Sequence, residues 1–166
     1  GPISNSIDVP SLNDGYDIVY VNSPGGDSIK AMELGLQIYE RDAIVVVDGN
    51  CHSACANYII PASRRLYMID GAVISMHGSL PRSIEGYSQM MLNARLPDRR
   101  EVPVQTIRHE LEVIVDEYGE YIEQNVVLET QYFARIRVAE AFVTRFFEIS
   151  RSLGRREEYS CVPPRG

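Results

Sequence analysis

Ser53 and His77 are the two side chains of this chain best suited to acyl transfer, and the Pro24-Gly25-Gly26 turn is the backbone best suited to assist them. Ser53 follows a Gly49-Asn50 turn after the apolar run 43–47, and it sits among small residues where a second apolar run begins. That setting puts a hydroxyl at the carboxyl edge of a strand, where α/β proteins hold their sites. It also directs the N–H groups of the helix that follows at any oxyanion formed there. The plainer reading is a serine capping a helix. His77 ends the run Ala72 to Met76 and precedes Gly78, so it too falls at a carboxyl edge. A base must come within hydrogen-bond reach of the hydroxyl it activates, and two strands ending side by side allow that. The other histidines fit less well: His52 adjoins Ser53, so the side chains diverge, and His109 lies between Arg108 and Glu110 on a helix facing solvent. Glycines after a strand can hold backbone N–H groups open to an anion. With the N–H of Ala54, those of Gly25 and Gly26 are the candidate oxyanion donors, although the same turn also serves as a plain strand-to-helix connection.

The elements that would hold these residues read as alternating strands and helices. Asp17 to Asn22 is rich in β-branched and aromatic residues and predicts a buried strand. A helix follows the Pro-Gly-Gly turn, capped by Asp27 or Ser28, with Ile29, Met32, Leu36 and Tyr39 as its apolar stripe. Ala43 to Val47 is a second strand, apolar without alternation, as in a sheet covered on both faces. The segment from Cys51 reads as a tight turn entering a short buried helix that ends at Pro61. Leu66 to Ile69 and Ala72 to Met76 are further strands. This order predicts an α/β fold with parallel pairing. Beyond it, a polar stretch from Pro81 to Pro103 holds a short helix around Gly86 to Ala94. Two helices then follow, Val104 to Ile122 on the stripe Ile107, Leu111, Ile114, Tyr118 and Ile122, and Leu128 to Phe147 through Tyr132, Ile136, Ala139 and Val143. The tail from Gly154 reads as loop.

Composition narrows the class. A chain of 166 residues, 45% apolar and 23% charged, suits one globular domain over 1–166. A net charge of −7 argues against nucleic acid and anionic membrane surfaces as partners. No run approaches the roughly 20 apolar residues of a membrane span. The opening Gly1-Pro2 has the look of what a tag-removing protease leaves, so the N-terminus offers no reading of compartment. Three cysteines allow one pair and one free thiol in any of three pairings. Buried thiols around Ser53 are the plain reading, and a bridge from Cys161 to Cys51 or Cys55 would tie the tail to the Ser53 turn. Their spacing with His52 matches no common zinc motif, and no metal or cofactor is expected.

Asn22-Ser23-Pro24-Gly25-Gly26-Asp27, then Ser53 among small residues, then a strand ending in His77 about two dozen residues later, resembles the Clp protease proteolytic subunit and its relatives. The resemblance covers roughly residues 16 to 80. It implies a crotonase-type fold of repeated β-β-α units with C-terminal helices, Ser53 as nucleophile, His77 as base, and Gly25, Gly26 and Ala54 as oxyanion donors. It further implies a serine peptidase acting on peptides or proteins and assembling as a homo-oligomer. The family carries an acid downstream of its histidine. No aspartate stands at that place here, and Asp116, Glu129 and Glu140 are the nearby acids. The Cys51-x-Ser53-x-Cys55 arrangement is similar to a subset of Clp-like proteins associated with export to the bacterial periplasm. Two other readings stay open: a crotonase-type protein that binds acyl-coenzyme A thioesters, and a catalytically inactive scaffold subunit.

Overall fold

The computed structural model describes residues 1–4, 18–79, 81–96 and 102–139, together with the backbone of 160–161. It is a mixed α/β structure in two compact units, Gly1–Ser79 with Glu129–Gly166, and Leu80–Leu128.

The first unit is built on a sheet. Strands β1 (Ile18–Ser23), β2 (Ile44–His52), β3 (Arg65–Met68) and β4 (Val73–Met76) pair in parallel. β1 lies along one edge of β2, with Ile18 opposite Ile44 and Val21 opposite Val47. β3 and β4 follow one another along the other edge. Val47 pairs with Met68, and Asn50, Cys51 and His52 pair with Val73, Ile74 and Ser75. The carboxyl end of β2 is therefore flanked by the glycine turn after β1 and by the residues that follow β4. A fifth strand, β5 (Ser160–Cys161), runs antiparallel to β4.

The helices of this unit cover one sheet face. Helix α1 (Ser28–Glu40) starts at Asp27, whose Oδ1 accepts from Lys30 N–H at 2.8 Å. It stops in a Schellman turn: Asp42, at φ 52°, donates to Tyr39 O, and Ala43 donates to Ile38 O. Its buried face is Ala31, Met32, Gly35 and Ile38 rather than the expected stripe, in which only Met32 is fully buried. The small residues decide this. Gly35 passes so close to Tyr58 and Tyr132 that an added Cβ would lie 2.8 Å from Tyr58 O and 2.5 Å from Tyr132 Oη. Counting large apolar side chains misses a contact made by their absence. Gly35→Ala gains about 1 kcal/mol of helix propensity. It meets a clash with backbone that costs more, roughly 1–3 kcal/mol before relaxation. The expected result is net destabilisation, read as a lower urea midpoint.

The Ser53 turn leads into a π-wound segment, Cys55–Ile59, and then α2 (Ile60–Ala62). Residues from Ala54 to Ile59 are all buried. Tyr58, Tyr132 and Phe133 pack ring on ring. The Tyr132 hydroxyl, which burial pushes well above its ordinary pKa, stays protonated and donates to Tyr58 O. On the opposite face Ile18, Tyr20 and Tyr67 are 46%, 66% and 59% exposed, so among the described residues the sheet is covered on one face, where the apolar run of β2 predicts two.

In the second unit, α3 (Ile84–Arg95) and the first part of α4 (Val104–Ile136) share a core of Tyr87, Leu92, Ile114 and Ile122. Ser83 caps α3 by accepting from Gly86 N–H. α4 is one helix where the sequence predicted two. Its buried stripe continues from Ile122 through Asn125 and Glu129 to Tyr132 and Ile136, and two buried polar residues on that line read as a break. It ends at Arg137, at φ 58°, again in a Schellman turn with Val138 bonded to Phe133 O. The expected helix beyond residue 139, and the tail apart from Ser160–Cys161, lie outside the described residues. No helix among the described residues is long and apolar enough to cross a membrane.

Candidate active site

Everything that surrounds Ser53 follows from where β2 stops. Its last residues pair with β4, and Ser53 N–H donates to Ser75 O at 3.1 Å as the chain turns away. Ser53 itself has φ 54°, a left-handed conformation that costs an L-residue about 1–3 kcal/mol and recurs where strain serves a site. The turn lifts the side chain toward the neighbouring strand. Ser53 Oγ lies 2.7 Å from His77 Nε2, within hydrogen-bond distance, and both residues are half-buried.

The glycine turn closes on the same point. Gly25 is buried at φ 93°, and an ideal Cβ there would lie 2.5 Å from His52 O, 2.6 Å from Ser53 Cβ and 2.9 Å from Ala54 N. Only glycine fits between β1 and the Ser53 turn. Its own N–H donates to Ser23 Oγ at 3.1 Å, so Gly25 contributes room rather than a free donor. Gly26 is exposed, at φ 138°. Its flanking backbone pairs with Ile3 through Gly25 O and Asp27 N–H. Among the described residues, neither Gly26 N–H nor Ala54 N–H donates to another backbone group outside a helix or strand. Ala54 N–H opens a helical segment, whose first donors have no partner within it.

Asn57 joins both halves of the pair. Its N–H donates to Ser53 O at 2.8 Å and its Nδ2 donates to Gly78 O at 2.7 Å, so one residue holds the backbone of Ser53 and the backbone next to His77. It is 2% exposed, and its Oδ1 has no hydrogen-bond partner among the described residues. The sequence reading passed over it. The signal was there: a lone amide inside the apolar run Ala54 to Ile60, one helical turn after Ser53. His52 also has a defined place, its Nδ1 hydrogen bonded to the Ser75 hydroxyl across the β2–β4 pairing.

The cysteines take one of the three pairings left open. Cys51 and Cys55 form a disulfide, which removes both the free-thiol reading and a bridge from either of them to Cys161. The physical reason is local: the turn at Ser53 folds positions 51 and 55 to within 5.3 Å of each other, Cα to Cα, and both are fully buried. The backbone of Cys161 pairs with Ser75 on β4.

Each of the three acids has its own setting. Glu129 is buried in the first unit and accepts from the Tyr58 hydroxyl at 2.8 Å. Asp116 is exposed on the part of α4 that belongs to the second unit. Glu140 lies outside the described residues.

The arrangement can transfer a proton from a hydroxyl to an imidazole beside open backbone donors. No protein-family model matches the chain, and no curated protein matches it.

Proposed function

We propose that this protein is a serine hydrolase of the Clp-protease type that cleaves peptide bonds at Ser53. The observation that carries the reading is the 2.7 Å approach of Ser53 Oγ to His77 Nε2, with Ser53 in a left-handed turn. The line of β3 and β4 along one edge of β2, with the glycine turn on the other, supports a crotonase-type architecture.

In this mechanism His77 Nε2 takes the hydroxyl proton as Ser53 Oγ bonds to the substrate carbonyl carbon. The carbonyl oxygen becomes an oxyanion and accepts from Gly26 N–H and Ala54 N–H, each worth roughly 3–4 kcal/mol in the transition state. His77 then gives its proton to the leaving amine as the carbon–nitrogen bond breaks. Water, deprotonated by the same nitrogen, releases the acyl group and regenerates the hydroxyl. Asn57 fixes the distance over which that proton moves. Asn57→Ala is expected to slow turnover by about 10–100-fold with little change in KM, because misplacement of about 1 Å costs that much. Steady-state kinetics on one peptide substrate separates the two constants.

The test is pre-steady-state. Mixed with excess p-nitrophenyl ester, the protein should release a burst of nitrophenol near one equivalent per chain, followed by slower turnover. Ser53→Ala should give no burst. Tight binding of an acyl-coenzyme A with no covalent acyl-enzyme would contradict the hydrolase reading.

A further inference from the structure

The Cys51–Cys55 disulfide brackets Ser53 symmetrically, with one residue between it and each cysteine. Disulfides that staple a whole fold gain most by closing long loops. This one spans a sequence separation of four, so its global contribution is small and its constraint is local. The residue inside that small ring holds a left-handed backbone at φ 54° and makes the contact with His77.

We infer that Cys51 and Cys55 are positioning residues for the nucleophile, and that hydrolysis depends on their being joined. This rests on the serine hydrolase reading and adds a condition to it. Two unbonded sulfurs need van der Waals separation, well beyond the length of a covalent bond. Both cysteines are fully buried, as are Ala54 and Ala56 beside them, and a close-packed interior has no slack to absorb the change. The backbone between positions 51 and 55 therefore moves when the bridge opens. Ser53 is the strained point in that stretch, so it relaxes toward negative φ and carries Oγ away from His77 Nε2. The bonds from Ser53 N–H to Ser75 O and from Asn57 N–H to Ser53 O hold the two ends of the residue. They do not fix the torsion between them.

The redox step is an exchange with a dithiol. One thiolate of the dithiol attacks a sulfur of the bridge and forms a mixed disulfide. The second thiol displaces the remaining cysteine, giving two cysteine thiols and a cyclic disulfide; two electrons and two protons pass to the protein. Because the bridge is buried, the exchange requires the turn to open locally, and it runs most readily before the chain has folded. The activity is silent where thiols are kept reduced and is switched on where disulfides persist.

The experiment uses Cys161→Ser protein, which removes the third thiol from the readout. The rate of fluorophosphonate attachment is followed by intact mass, for oxidised protein and after dithiothreitol. Alkylation in denaturant counts the thiols, and far-UV circular dichroism checks the fold. Reduced protein with two new thiols and an unchanged spectrum should label at least about tenfold more slowly, and should recover on oxidation with oxidised glutathione. The Cys51→Ala/Cys55→Ala double variant should label at the slow rate with or without reductant. Equal rates for oxidised and reduced protein would overturn the inference while leaving the hydrolase reading standing. So would a loss of labelling that merely tracks global unfolding. Failure of the oxidised protein to label at all would remove the hydrolase reading, and this inference with it.

Discussion

With His77 replaced by alanine, ester and peptide hydrolysis should fall by about 10⁴–10⁶-fold while the protein stays folded. The imidazole stands 2.7 Å from Ser53 Oγ, whereas the neighbouring His52 turns its Nδ1 to the Ser75 hydroxyl. A serine hydroxyl without a base is a poor nucleophile at neutral pH. His77 is half-buried at the end of a strand and precedes Gly78, so truncation removes little packing, and stability should change by less than about 1 kcal/mol. Urea denaturation beside the kinetics separates the two effects. Added imidazole should restore part of the rate if the cavity left by the side chain admits it. A loss of less than about tenfold would mean that His77 is not the base.

Gly25→Ala should damage both the fold and the site. The new methyl would lie 2.5–2.9 Å from His52 O, Ser53 Cβ and Ala54 N, none of which is the far end of a flexible side chain. The backbone at φ 93° adds its own penalty for any L-residue. Together these are worth about 2–5 kcal/mol. Whatever relaxation accommodates the methyl displaces Ser53 or Ala54, so hydrolysis should drop at least about 100-fold even where the protein remains folded. Gly71→Ala is the matched control. Gly71 has φ 83° with nothing within 4 Å of its ideal Cβ, so it pays the backbone penalty, about 1 kcal/mol, and leaves turnover unchanged. Comparable losses of activity in both variants would show that stability, not the contact with Ser53, is being measured.

Much of the first unit was legible because each signal there is local. Pro24-Gly25-Gly26 marks a turn by chemistry that few other residues provide, Asp27 marks a cap, and the β-branched runs of β1 and β2 leave little choice of conformation. The approach of Ser53 to His77 was legible as far as strand ends go, since parallel neighbours end at one edge. What could not be read were contacts defined by closeness. Ala31 and Gly35 form the buried face of α1 because Tyr58 and Tyr132 come up against it, a fact of tertiary packing that no stripe of large residues reveals. Asn125 and Glu129 hid the continuity of α4 because a buried polar residue looks like a solvated one until its surroundings are known. The Cys51–Cys55 pairing depended on a left-handed turn at a non-glycine residue, which propensity argues against. Asn57 was missed for a related reason: the bond that distinguishes its side chain, to Gly78 O, crosses from the Ser53 segment to the residues after β4.

The measurement that bears most directly on the central claim is intact-mass analysis of the oxidised protein after incubation with a fluorophosphonate, beside Ser53→Ala treated identically. Activation of Ser53 by His77 predicts a single adduct on the parent, mapped by peptide digestion to Ser53, and none on Ser53→Ala. An unmodified parent under conditions that label a control serine hydrolase, or an adduct of equal yield on Ser53→Ala, would contradict it.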